Sequence, residues 1–179
     1  FYDVTVSSLT SLTLNGQTTI ANHLILSNGT LQCGSYRVNV RGDFTNNATY
    51  TDSQHGVVLN GSDQQYVDGT GTFGRLELDN SNGARIGNDL TLQKNLVLSS
   101  GIFDINEHLL TLGENSEIEG APFSDTKMIT SEGVLSNVGI KKIFGTYSGA
   151  AQTFLYPLGT SGKYTPVELT YTQNNNVGF

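Results

Sequence analysis

The sequence predicts an all-β chain: a parallel β-solenoid (β-helix) followed by the start of a β-sandwich-like module. Three observations carry this. First, the chain echoes itself at a fixed shift. Phe1-Tyr-Asp-Val-Thr-Val6 aligns with Phe73-Gly-Arg-Leu-Glu-Leu78, and Leu24-Ile-Leu-Ser-Asn-Gly-Thr-Leu31 with Leu96-Val-Leu-Ser-Ser-Gly-Ile-Phe103. Both shifts are 72 residues (73 minus 1, 96 minus 24), the mark of stacked similar units. Second, short apolar–polar–apolar triplets recur along the chain, the period-2 pattern of strands with one buried face. Third, Asn-Gly dipeptides lie between them, and both residues tolerate the positive φ of tight turns.

In chain order the triplets are Val4–Val6, Leu12–Leu14, Leu24–Leu26, Val38–Val40, Val57–Leu59, Leu76–Leu78, Leu96–Leu98 and Leu110–Leu112. The turns are Asn15-Gly16, Asn28-Gly29, Asn60-Gly61 and Asn82-Gly83. A meander of hairpins needs longer strands joined by two-residue loops. Short triplets separated by longer polar spans fit stacked coils better, with Leu/Val/Ile columns inside and Thr and Asn outside. No stretch carries helical periodicity with caps, so almost no helix is expected.

The 72-residue echo then reads as a superrepeat of several coils. It maps Leu14 to Ile86, Ile20 to Leu92, Val38 to Leu110 and Val40 to Leu112, and fades after Gly42 and Glu114. Residues 1–120 are expected to form a solenoid of two 72-residue-spaced superrepeats. About eight coils at ~4.8 Å each would make a rod near ~40 Å. Residues 121–179 are expected to be a partial β-sandwich-like or capping segment. Ala121-Pro122 breaks the polar turn pattern, and Ala151–Thr160 and Lys163–Tyr171 read as longer alternating strands with prolines at their edges.

Composition narrows the function classes. A net charge of −7 with 9 Lys and Arg argues against nucleic acid and against anionic membrane surfaces, which need basic clusters. Arg37 and Arg41 are isolated, and Lys141-Lys142 is only a pair. No apolar run is long enough to span a bilayer. The single Cys33 excludes an intrachain disulfide, and its apolar slot reads as a buried thiol. The chain opens on Phe-Tyr and ends on Asn-Asn-Asn-Val-Gly-Phe, which reads as an internal stretch of a longer protein.

The segment Leu96–Gly113, with Leu24–Val40, resembles recurring stretches of the repeat-rich secreted and cell-surface proteins of Bacteroidota. In those proteins β-helical stretches are often followed by a segment like Phe154-Leu-Tyr-Pro-Leu-Gly-Thr160 with Tyr164-Thr-Pro-Val167, which opens a β-sandwich. Such proteins are commonly type IX secretion substrates and include gliding-motility and other surface adhesins, and also multi-domain secreted enzymes. The resemblance covers most of the chain and implies an extracellular, cell-surface setting on the outer face of a bacterial outer membrane. It implies outer-membrane secretion or surface-anchoring proteins, glycans or surfaces as partners, and it brings no catalytic motif.

Each candidate site in the sequence also has a plain reading as turn chemistry. Asp63 and Asp68, or Glu117 and Glu119, could offer paired carboxylates for work on a sugar, but basic residues are few and Trp is absent. Asp63-x4-Asp68-Gly69 and Asn80-Ser-Asn82-Gly83 only partly echo a calcium loop. Arg41-Gly42-Asp43 spells a receptor-binding tripeptide where turn residues are ordinary. Asn28-Gly-Thr30, Asn47-Ala-Thr49 and Asn60-Gly-Ser62 fit the glycosylation sequon and read as turns. Tyr50, Tyr66, Tyr147, Tyr156, Tyr164 and Tyr171 could stack on glycans or pack at strand edges. No catalytic, cofactor-binding or metal residue is assigned, no cofactor is expected, and the chain is expected not to be an enzyme. The leading expectation is a structural stalk of a large surface adhesin. The alternatives are an accessory non-catalytic region of a secreted carbohydrate-active enzyme, or a substrate captured with its secretion machinery.

Overall fold

The computed structural model describes residues 1–7, 11–52, 54–132, 137–160 and 162–174. The chain winds as a parallel β-solenoid with three strand positions per turn. Turn one is β1 (Val4–Val6), β2 (Ser11–Thr13) and β3 (Thr18–Ile20). Turn two is β4 (Leu24–Leu26), β5 (Thr30–Gly34) and β6 (Arg37–Val40), and turn three is β7 (Phe44–Asn46), β8 (Thr49–Asp52) and β9 (Gly56–Leu59). Turn four has β10 (Gln65–Asp68) and β11 (Leu76–Asp79), with bridges at Thr72 and Phe73 in the middle position. Turn five is β12 (Ala84–Ile86), β13 (Leu90–Leu92) and β14 (Leu96–Ser100), and turn six is β15 (Phe103–Asp104), β16 (Leu109–Leu112) and β17 (Ile118–Glu119).

Each position stacks on its counterpart in the next turn. Face one is a sheet ordered β1-β4-β7-β10-β12-β15 that continues through β18 (Ile129–Thr130), β21 (Leu158–Thr160) and β22 (Lys163–Tyr164). Face two holds β2-β5-β8, then β13-β16 and β19 (Gly139–Lys142), and face three is β3-β6-β9-β11-β14-β17. The parallel ladder therefore crosses the expected boundary at residue 121. The module expected beyond that point contributes, among the described residues, two antiparallel strand pairs, a long hairpin of β20 (Tyr147–Tyr156) and β23 (Val167–Asn174) and the short pair β21–β22 between them in sequence. Residues 175–179 lie outside the described residues.

The core follows from the alternation. Inward columns run Val4–Leu24–Phe44–Val67–Ile86 on face one and Ile20–Val40–Leu59–Leu78–Leu98 on face three. Parallel stacking puts like on like about 4.8 Å apart, so each column is a continuous apolar stripe that no single turn could bury alone. At mid-rod Phe44, Tyr50 and Phe73 fill the interior edge to face, with Phe44 and Phe73 ring centroids 5.4 Å apart. At the far end the face-two column Leu92–Leu112 runs into Lys142. Its ammonium donates to the carbonyls of Gly113 (2.7 Å), Glu114 (2.6 Å) and Ile143 (3.0 Å) and lies 5.6 Å from the ring centres of Phe144 and Phe154. Burial holds its pKa below the usual lysine value, the charges of Glu117 and Glu114 opposing. Phe154, from the hairpin, joins the solenoid core.

Not every Asn faces outward as the pattern implies. Asn46, Gln65 and Asn80 are buried at corners and bond the backbone of neighbouring turns. Asn46 donates to Thr72 O (3.0 Å), Gln65 to Val40 O (3.0 Å) and Asn80 to Asp63 O (2.7 Å). The Thr72 and Val40 carbonyls also accept the Tyr50 and Asn60 backbone N–H groups, so there the amides fill a second lone pair.

Candidate functional site

Two polar features stand out on the rod's surface. The first is a set of ion pairs that skip a turn. On face three the outward row is Thr19–Asn39–Val58–Glu77–Val97–Glu119. Arg37 on β6 reaches past β9 to Glu77 on β11, with Nη2–Oε2 3.1 Å, and Val58 between them is 1% exposed. This is a charge contact by distance, and the aligned hydrogen bond to Glu77 comes from Ser99 Oγ at 2.8 Å. Arg75 repeats the device, reaching past β14 to Glu119 at 2.9 Å beside buried Val97. At the neighbouring corner Lys94 Nζ lies 3.3 Å from Asp52 Oδ1 and also donates to the Asp52 carbonyl. Asp52 Oδ2 accepts the Arg75 backbone N–H at 2.8 Å, and the Tyr50 hydroxyl donates to Arg75 O at 2.5 Å. These pairs tie turn two to four, three to five and four to six.

The second feature is a groove of about 620 Å³ on face one, lined among others by Gln64, Asn82, Asp104, Thr130, Ser131 and Glu132. Register explains its floor. Asp104 and Thr130, which line it, are lateral neighbours on β15 and β18, and the outward row continues from them through Arg85 to Tyr66, while on the next strand Gly159 is buried against Met128. Arg85 donates from Nε and Nη2 to Asp104 Oδ2, each at 2.7 Å, and lies 3.5 Å from Glu132. Asp104 Oδ1 accepts the Asn106 N–H at 2.8 Å, so both oxygens of this carboxylate are engaged. The hydrogen bond with Asp104, ahead of the nearby negative charges, holds the guanidinium pKa above its usual value. Tyr66 is 49% exposed at the groove's turn-four side. Gly83, at φ 78°, closes the adjoining corner, where a Cβ would sit 2.6 Å from Ile102 O.

The residues singled out from sequence scatter. Asp68 accepts from Gly69 N (2.7 Å) and from the Asn88 amide of the next turn, while Asp63 meets Ser62 Oγ at 3.4 Å, so Asp68 is a tie between turns and Asp63 serves its own corner. Glu119 goes to Arg75 and the Asn95 amide, and Glu117 donates its backbone N–H to Asn95 Oδ1 (2.9 Å). Asp43, in the Arg41-Gly42-Asp43 tripeptide, accepts Tyr66 N at 2.8 Å and lies 3.4 Å from His23, which makes it a corner tie. Of the sequon asparagines, Asn28 accepts Gly29 N (2.9 Å), Asn47 accepts Thr70 N (3.2 Å) and Asn60 donates to Asn39 (3.4 Å). In the partial calcium echo, Asn80 is buried and Asn82 donates to Ser62 O at 2.6 Å.

Tyr50 offers no stacking surface, since it is core and 1% exposed. Burial, then the negative charge of Asp52, raises its pKa well above the ordinary phenol value. Tyr147, Tyr156 and Tyr171 pack with Phe144 and Phe154 at the hairpin, with Phe154 and Tyr156 ring centroids 4.7 Å apart. Cys33 is fully buried, and burial together with Asp52 pushes its thiol up to about 12. A thiol so protonated is a packing residue. The described residues hold no group of three or more His, Cys, Asp or Glu able to hold a metal ion. No helix among them is long and apolar enough to cross a membrane. Sequence reasoning missed Arg85–Asp104 and Glu132. Their spacing, 19 and 47 residues, becomes meaningful only once the turn length is known.

Compared with known proteins, the chain matches no family model, no curated protein and no solved structure.

Proposed function

We propose that this chain is a structural stalk segment of a large exported cell-surface protein, acting as a non-catalytic spacer in a surface adhesin. The observation that carries the reading is the pairing of the continuous parallel ladders of faces one and three with ion pairs that skip a turn. Pulling such a rod along its axis loads each ladder and its straddling pairs together. The eight parallel strands of face one, seven steps of ~4.8 Å, give a span of about 34 Å. Length scales with turn number, and neighbouring turns depend on one another for burial. In this reading the partners are secretion and surface-anchoring proteins, and the setting is the outer surface of a bacterial outer membrane.

Two measurements test it. Stretching the chain by single-molecule force spectroscopy should give stepwise extension in units of one to two turns. Collapse in a single low-force event would count against a spacer. Antibody labelling of intact source cells should reach the epitope without permeabilisation, and a signal confined to permeabilised cells would refute surface display.

A further inference from the structure

We propose that the groove on face one is a binding site for a neutral oligosaccharide lying along the rod axis. The outward row Tyr66–Arg85–Asp104–Thr130 crosses four strands, or about 14 Å at ~4.8 Å per step. That is long enough for several sugar rings in line. Gln64, which lines the groove, and Tyr66 are two residues apart and so face the same side. The groove's volume lies within the ~300–1,000 Å³ usual for ligand sites.

The chemistry selects the ligand class. The walls are amides and hydroxyls from Gln64, Asn82, Thr130 and Ser131, groups that both donate and accept. A ligand dense in hydroxyls can match them, and a purely apolar one would strand them. The phenol ring of Tyr66 is half-exposed, and such rings combine an apolar face with a polar tip. The C–H face of a pyranose stacks on such a ring while its hydroxyls reach the amides. Charge excludes the acidic sugars. Arg85 is spent on Asp104, Glu132 leaves the groove one negative charge in excess, and the whole chain carries −7. The inference does not rest on the stalk reading, because a spacer needs no groove, so one can fail without the other.

The test is calorimetric titration of the 179-residue chain with hexasaccharides of glucose, mannose and xylose, and with a uronic-acid hexamer. At least one neutral hexamer should bind and the uronate should not. Tyr66→Ala should weaken binding about tenfold, and Thr160→Arg, at an exposed position on the groove wall, should abolish it. Tyr36→Ala, an exposed tyrosine outside the groove, should change affinity less than twofold. Thermal melts confirm that each variant folds. Failure of every neutral hexamer to bind at millimolar concentration overturns the proposal. So does preference for the uronate, or binding that survives both groove substitutions.

Discussion

The straddling pair Arg37–Glu77 makes an asymmetric prediction. Glu77 is 5% exposed at its side chain and Arg37 is 38% exposed. Removing the arginine strands a buried carboxylate with only Ser99 Oγ as a hydrogen-bond partner. Removing the glutamate's charge leaves a guanidinium that can turn into water. At 3.1 Å and an effective dielectric of ~20, the lost attraction is about 5 kcal/mol. Screening at the half-open arginine reduces this to about 2–3 kcal/mol for Arg37→Ala, including exposure of Val58. Glu77→Gln keeps the shape and the Ser99 contact and should cost about 1 kcal/mol. The double variant Arg37→Met/Glu77→Leu keeps the cover over Val58 without charge and should fall within about 1 kcal/mol of wild type. The assay is urea denaturation, with amide exchange on β9 and β11 as the local readout, because a stacked array can lose turns separately. Glu77→Gln costing as much as Arg37→Ala would refute the argument. So would both single variants costing under ~0.5 kcal/mol, the value of an ordinary surface pair.

Further outcomes follow from single positions. Between about pH 9 and 12 the native Cys33 keeps a proton that the unfolded thiol releases. Stability therefore falls with rising pH, by about 1.4 kcal/mol per pH unit from this group. Lys142 acts oppositely below pH 10.5, since its lowered pKa relieves the buried charge as pH rises. The discriminating measurement is thus wild type against Cys33→Ala, whose stability difference should shrink above pH 9 and stay constant below it. Lys142→Met should cost about 1–2 kcal/mol in chemical denaturation, because it takes a donor from the part-buried Glu114 and Ile143 carbonyls, while the buried Gly113 carbonyl keeps the Ser116 N–H. Gly101→Ala should cost 2 kcal/mol or more (~1–3 from backbone strain alone), since φ is 91° and a Cβ would lie 1.9 Å from Asn80 O. Gly16→Ala meets nothing within 4 Å and should be neutral or stabilise by up to ~1 kcal/mol.

The fold was legible because period-2 alternation survives in the triplets whose outer face is wet. Leu24–Leu26 and Leu90–Leu92 are buried–exposed–buried, as a strand with one wet face requires. The alternation fails where the outer face is itself covered. Gly56–Leu59 is buried at all four positions, because Arg37 and its partner lie across it. Corner amides were illegible for a different reason. Asn46 and Asn80 read like any turn asparagine, and only the stacked neighbour decides whether the side chain meets water or a backbone carbonyl. The groove was hidden too, since its acids come from different turns. With the turn length in hand the charges become readable. Arg85 and Asp104 stand one turn apart, while Arg37–Glu77, Lys94–Asp52 and Arg75–Glu119 stand about two.

The 72-residue echo takes on a different meaning in three dimensions. Val4, Leu24 and Phe44 stack in register, so a turn in this part of the rod is 20 residues. Seventy-two residues is therefore not a whole number of turns. The shift carries Val4 and Leu24 of face one onto Leu76 and Leu96 of face three. It carries Leu31 of face two onto Phe103 of face one, and Val38 of face three onto Leu110 of face two. Every aligned block moves to another side of the rod, always in the same sense. Two copies can share a sequence in this way only if the three sides make interchangeable demands: an inward apolar pair, an outward polar residue and a corner. The echo marks the strand-plus-corner as the interchangeable unit, with the turn as three such units. It fades where the sides stop being equivalent. Beyond Glu114 face one steps from Phe103 to Ile129, 26 residues, and then to Leu158, 29 residues, as the longer loops and the hairpin enter. The groove and the Lys142 cap both draw on residues from this part of the chain, where the sides have become distinct.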